Sequence, residues 1–93
     1  MADLLRVRDV FKATGRGPVI VAELIDGAVR VGMHLEMPGR PEPLVIAAME
    51  FVDRRALGVG DASLRLHFRN APALFDVVAA FPEGIEVVAR EPA

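Results

Sequence analysis

Cysteine, tyrosine and tryptophan are absent from this chain of 93 residues, and its hydroxyl side chains are limited to Ser63 and Thr14. Without cysteine there can be no disulfide, no thiolate nucleophile and no thiolate metal site. Neither Ser63 nor Thr14 stands in a nucleophile-elbow pattern. The sequence therefore predicts a protein that is not an enzyme and has no catalytic residues. The enzymatic alternative requires one of the two hydroxyls to meet a histidine in a cleft.

A marked excess of positive charge is also missing, since 11 Lys and Arg stand against 13 Asp and Glu, for a formal net charge of −2. DNA-binding proteins carry a basic excess that neutralises phosphates, so we expect no DNA partner. No apolar run approaches the ~18 residues that a membrane helix needs. The first residues, Met1–Arg6, lack the basic and apolar regions of a signal peptide. We expect a cytoplasmic protein with no membrane partner.

Metal and nucleotide motifs are missing as well. The two histidines, His34 and His67, are far apart in the sequence and have no pair of carboxylates at ligand spacing. The arginines on either side of His67 oppose a divalent cation. No stretch matches the phosphate-binding pattern G-x-x-x-x-G-K-[ST]. We therefore predict no metal, no cofactor and no nucleotide binding by this chain alone.

Short apolar segments separated by glycine and proline make up most of the chain, and this pattern favours many strands over long helices. Val19–Ile25 is an apolar run of strand length, and Leu64–Arg69 alternates apolar with polar residues. Val10 interrupts the alternation of the first strand and suggests a bulge there. Asp26-Gly27 between two strand-like runs predicts a two-residue hairpin turn.

One segment has helical character. Pro72 suits the first turn of a helix, with Asn70 or Ala71 as its cap, and Pro82 ends it. The helix, near residues 72–81, is apolar on nearly every side, so it either caps the core or offers a partner surface. We predict one domain over residues 1–93, an all-β, small six-stranded antiparallel barrel with one short helix.

A set of motif residues supports a family resemblance. The region 10–36 resembles the second domain of translational GTPases such as elongation factor Tu, and Met49-Glu50-Phe51 resembles a later segment of that domain. The residues that carry the first likeness are Phe11, Gly15-Arg16-Gly17, Gly27, Val29, Gly32 and Leu35. The resemblance implies a six-stranded barrel that binds and does not catalyse. In this chain Val21-Ala22-Glu23 replaces the family's Thr-Gly-Arg, so a glutamate stands in place of a cation.

The resemblance implies a binding module for a protein or ribonucleoprotein partner in translation, with RNA as a candidate ligand. It implies a ligand contact for Glu50, near a terminal ribose; the alternative is a solvated strand glutamate. Arg16 could contact the partner, or its flanking glycines could serve only a tight turn. The candidate binding residues are Arg16, Glu50, Arg65, His67 and Arg69.

Charged residues on two strands leave a further choice open. Arg65, His67 and Arg69 are predicted to share the exposed face of one strand, and Arg6, Arg8 and Lys12 that of another. If these strands are neighbours, a basic stripe results that could bind nucleic acid. Otherwise the cations pair across strands with acids such as Glu86. Apolar residues are 53% of the chain, which favours the alternative function, a self-associating homo-oligomer or partner-dependent module unrelated to translation.

Overall fold

The computed structural model describes residues 3–15, 17–51 and 63–92, which form a closed antiparallel barrel with one short helix. This confirms the predicted fold class. The elements in chain order are β1 (Asp3–Ala13), β2 (Gly17–Asp26), β3 (His34–Leu35), β4 (Leu44–Phe51), β5 (Ser63–Phe68), α1 (Leu74–Ala80) and β6 (Glu86–Arg90).

The strands follow the order β1-β2-β5-β4-β3-β6 around the barrel. The first and last strands pair with each other, so that Asp3 lies opposite Ala89. β3 forms the two shortest of the described ladders, with two residue pairs to β4 and two to β6. The barrel is therefore closed by one very short strand.

The interior is filled by aliphatic side chains from every strand and by two residues of the helical segment. Alternate residues of β5, Leu64, Leu66 and Phe68, point inward as the sequence alternation predicts. The other members of the buried cluster are Leu5, Val7, Ile20, Ala22, Met33, Leu35, Met37, Leu44, Ile46, Val77, Phe81 and Ala89.

The ladders contain three register shifts, the first of which lies between Leu4 and Leu5 in the pairing of β1 with β2. In β1 the pairing with β2 shifts between Val7 and Asp9, close to the bulge that Val10 predicts. In β4 the pairing with β5 shifts between Ile46 and Ala48. A bulge adds one residue, so the side chains that follow change faces. Val10 consequently packs against the interior cluster.

The hairpin predicted at Asp26-Gly27 is wrong. β2 pairs with β1 and β5, and the chain after Gly27 does not return along β2. Gly27 has a φ of 77°, and no described residue other than glycine has a positive φ, so Asp26 does not take the conformation of a type I′ turn. Instead the Asp3 carboxylate accepts the Ala28 N–H at 2.9 Å. The glycine serves this close approach to β1.

The helix forms where the sequence predicts it, but its cap differs. The N-cap is Ala73, which makes no side-chain cap hydrogen bond. Asn70 is engaged elsewhere, because its Oδ1 accepts the Val45 N–H and its Nδ2 donates to the Pro43 carbonyl, each at 2.9 Å. The helix is too short to fold alone and depends on tertiary packing.

Packing of the helical segment divides its apolar residues between the interior and the surface. Val77 and Phe81 are buried in the barrel interior, whereas Phe75 and Val78 are exposed. The segment thus closes the barrel core with one face and leaves two apolar side chains uncovered by the described residues. This confirms that the segment caps the core, and its role as a partner surface stays a prediction.

Candidate functional site

Side chains from four strands form a patch on the outside of the barrel. The ladder pairs Phe11 with Val19 and Val19 with His67, while Glu50 lies opposite Arg65 in the adjacent row. Val19 is completely buried yet is not part of the interior cluster, so it is covered from the outside. We call Phe11, Val19, Glu50, Arg65 and His67 the outer patch.

His67 is the buried polar residue of the outer patch. Its exposed fraction is 8%, and its Nε2 lies 2.5 Å from Oε1 of Glu50. The Glu50 side chain is half exposed. The His67 Nδ1 atom is buried and has no hydrogen-bond partner among the described residues. A buried polar atom without a partner is rare in folded proteins and costs stability.

Arg65 crosses the sheet to reach Phe11. Its guanidinium carbon lies 5.6 Å from the centre of the Phe11 ring, within the range of a cation–π contact. Because Arg65 is on β5 and Phe11 is on β1, the side chain extends over β2, which lies between them. The exposed cation is therefore held in a defined position above an apolar surface.

The bulges near Arg8 in β1 and near Ala47 in β4 place Phe11 and Glu50 in the outer patch. Without a shift in β4, Glu50 would share the inward face of Leu44 and Ile46; the extra residue turns it outward beside His67. The shift in β1 likewise moves Phe11 to the outside. Strict alternation from Leu5 and Val7 would place Phe11 inward with them, so alternation alone does not identify it as part of the patch. The interruption of the alternation at Val10 is the sequence signal that could have identified the outward position of Phe11.

The predicted exposure of His67 is wrong, because Glu50 and the neighbouring strands cover it. The basic stripe is also not formed. β5 and β1 are separated by β2, and the β1 bulge places Lys12 on the opposite face from Phe11.

Cross-strand pairing accounts for two of the cations of the predicted stripe, as the alternative proposed. Arg6 pairs with Glu86 at 3.0 Å and Arg8 pairs with Glu23 at 3.4 Å. Glu23 is thus neutralised by a neighbouring arginine.

Of the remaining two candidates, the structure describes only Arg69, which is not part of the outer patch. Arg69 is exposed just beyond the end of β5, and its backbone N–H donates to the Val45 carbonyl at 3.0 Å. Arg16 lies outside the described residues. The structure therefore brings together Glu50, Arg65 and His67 of the five candidates.

Ser63 and His67 do not converge. Ser63 and His67 are four residues apart on one strand, which corresponds to about 13 Å. Among residues 3–15, 17–51 and 63–92, no three His, Asp or Glu side chains cluster as a metal site requires. No helix in this part of the chain is long and apolar enough to cross a membrane. The arrangement in the outer patch can present a cation, from Arg65, and a half-exposed carboxylate, from Glu50, to a ligand.

We expect the His67–Glu50 pair to respond asymmetrically to substitution. Glu50→Ala leaves a second buried ring nitrogen without a partner and should destabilise the protein by about 1–3 kcal/mol. His67→Leu removes both ring nitrogens and leaves Glu50 half exposed to water, so its cost should stay below about 1 kcal/mol. Urea denaturation of the two variants measures the difference. Equal losses would contradict the burial of an unsatisfied imidazole.

Comparison with known proteins finds no similarity. A scan against family models, a search of curated proteins and a search of solved structures each returned no match. The resemblance to the second domain of translational GTPases stays a prediction based on the motif residues.

Proposed function

We propose that this chain is a non-catalytic binding module, similar in role to the second domain of translational GTPases, that binds a protein or ribonucleoprotein component of the translation apparatus. The observation that carries the proposal is the outer patch, in which Arg65 is held over Phe11 and the buried His67 has an unpartnered Nδ1. Arg65 is the exposed group of the patch, and a cation that Phe11 already holds in position loses little freedom when a partner binds it.

The charges of the outer patch favour a protein surface over an RNA backbone. Its exposed groups are one guanidinium, from Arg65, and one half-exposed carboxylate, from Glu50. A phosphate backbone is attracted by several cations and repelled by a carboxylate. Phe11 is covered by Arg65, so it is not free to stack on a base. A protein partner can match both signs of charge.

Affinity capture from native cells, with half the sample treated with RNase, tests the proposal. We expect the wild-type chain to recover translation components regardless of RNase, and Arg65→Glu to recover at least tenfold less. Lys12→Glu changes the net charge equally on the opposite face of the sheet and should bind like wild type. Recovery without translation components contradicts the proposal, and loss of recovery after RNase identifies RNA as the ligand.

Self-association is a second candidate function, favoured by the uncovered face of α1. Phe75 is 81% exposed and Val78 is 47% exposed, and both lie on one helix face because they are three residues apart. Sedimentation velocity over a range of concentrations measures this directly. Association that Phe75→Glu abolishes would support it, and a monomer at all concentrations would exclude it.

A further inference from the structure

The last strand has an incomplete ladder on one side. β6 pairs with β1 from Glu86 to Ala89, but with β3 only at Ala89 and Arg90. The segment Glu86–Val88 therefore has no paired strand on the β3 side in the part of the chain that the structure describes. Its length corresponds to about 10 Å of strand.

The backbone groups of this segment that point toward β3 are identified by the ladder with β1. The Ile85 carbonyl accepts the Val7 N–H at 2.8 Å, so it faces β1. Backbone groups alternate in direction along a strand of an antiparallel sheet. Val87 therefore faces β1, and the N–H and C=O groups of Glu86 and Val88 face the opposite side, where Arg90 pairs with β3.

Proline and glycine explain why the chain does not fill this position itself. β3 ends at Leu35, and a turn follows in which the Arg40 N–H donates to the Met37 carbonyl at 3.2 Å. Pro38 has no N–H to continue a ladder, and Gly39 has a φ of 81°. The chain turns away and leaves a groove of about 630 Å³ between residues 36–43 and β6.

The other incomplete edge of the barrel, on β1, is protected against pairing with a further strand. Beyond its pairing with β6, β1 continues from Asp9 to Ala13 with only β2 beside it in the described ranges. The bulge lies at the start of this edge, and the Asp9 carboxylate accepts the Val10 N–H at 2.9 Å. Lys12 is exposed on it. Bulges are a usual means of blocking an edge strand, and the ladder of Glu86–Val88 with β1 has none.

We propose that the groove binds an extended segment of a partner protein, which adds to Glu86–Val88 as a strand. Because residues 36–43 and the end of α1 wall the groove, a single strand fits and the sheet edge of a second folded barrel does not. One set of alternate side chains faces Phe81 and Val87, so it should be apolar. The other set passes between Glu86, which pairs with Arg6, and Glu36, which pairs with Arg90, so it should be polar.

Selection from a random twelve-residue peptide library on the immobilised full chain tests the proposal. We expect the selected peptides to share alternating apolar and polar residues and to protect the amides of Glu86 and Val88 from hydrogen exchange. N-methylation of alternate amides of a selected peptide, on the edge facing β6, should weaken binding at least tenfold. Binding that is insensitive to N-methylation, protection elsewhere only, or no binding peptide would each overturn the proposal.

Substitutions at Val88 test the proposed strand pairing independently of the peptide selection. Val88→Pro removes the N–H that faces the groove, and proline is tolerated on an edge strand. It should weaken the selected peptide at least tenfold, whereas Val88→Thr should bind within twofold of wild type. If Val88→Pro does not fold, the N-methylated peptides on the wild-type chain decide the question. A dimer that the peptide dissociates would identify a second copy as the occupant and overturn the assignment to another protein.

Discussion

Phe81→Ala is expected to destabilise the barrel by about 3–5 kcal/mol, which is the usual cost of removing a buried phenylalanine. Phe81 is 2% exposed and packs in the interior with Val77, so its loss leaves a cavity at the end of the helical segment. Small domains have unfolding free energies of about 5–15 kcal/mol. The variant should therefore be partly unfolded or have a Tm lower by roughly 4–8 °C for each kcal/mol lost.

Phe75→Ala is the matched control for this experiment. It removes the same side chain from the same segment, but Phe75 is 81% exposed, and exposed substitutions usually change stability by less than about 0.5 kcal/mol. Thermal and urea denaturation of both variants measure the contrast. Similar losses in the two variants would contradict a helix that closes the core with the Val77 and Phe81 face.

Gly27→Ala is expected to cost about 3 kcal/mol or more, for two reasons that add. A residue with a Cβ pays about 1–2 kcal/mol at a φ of 77°. The new Cβ would also lie 3.0 Å from the Asp3 Cα and still closer to the carboxylate. The displaced carboxylate would lose its hydrogen bond to the Ala28 N–H, and a hydrogen bond to a charged group contributes about 1.5–3 kcal/mol.

Gly39→Ala separates the cost of the positive φ from the cost of the contact with Asp3. Gly39 has a similar φ, 81°, but no atom lies within 4 Å of the position of its Cβ. Its substitution should therefore cost only the conformational part, about 1–2 kcal/mol. The free energies of unfolding from urea titrations give the comparison. If both glycines cost the same, the contact between Gly27 and β1 has no energetic role.

Local patterns in the sequence were sufficient for the fold class. The alternation of Leu64, Leu66 and Phe68 identified a strand and its inward face, and Pro72 and Pro82 bounded the helix. Such features depend on neighbouring residues only. The arrangement of the strands depends on contacts between residues that are distant in sequence, and Gly27 is an example. Its role comes from Asp3, which is distant in sequence, and a local turn pattern cannot register that contact.

The outer patch was only partly predictable for a related reason. Glu50, Arg65 and His67 were identified as candidates, but their juxtaposition depends on β4 and β5 pairing with a register shift. Burial of His67 also follows from what neighbouring strands place over it, which alternation does not specify. Asn70 is a third case, because a capping residue in the sequence pattern instead bonds to Pro43 and Val45.

Pairing between the first and last strands has a consequence for how this barrel can be combined with other proteins. Asp3 lies opposite Ala89, and paired residues of an antiparallel ladder are about 5 Å apart. A polypeptide that enters the barrel at β1 therefore leaves it from β6 at nearly the same point. The unit can be inserted into a surface loop of a host protein without separating the two halves of that host, and its connectivity is suited to circular permutation.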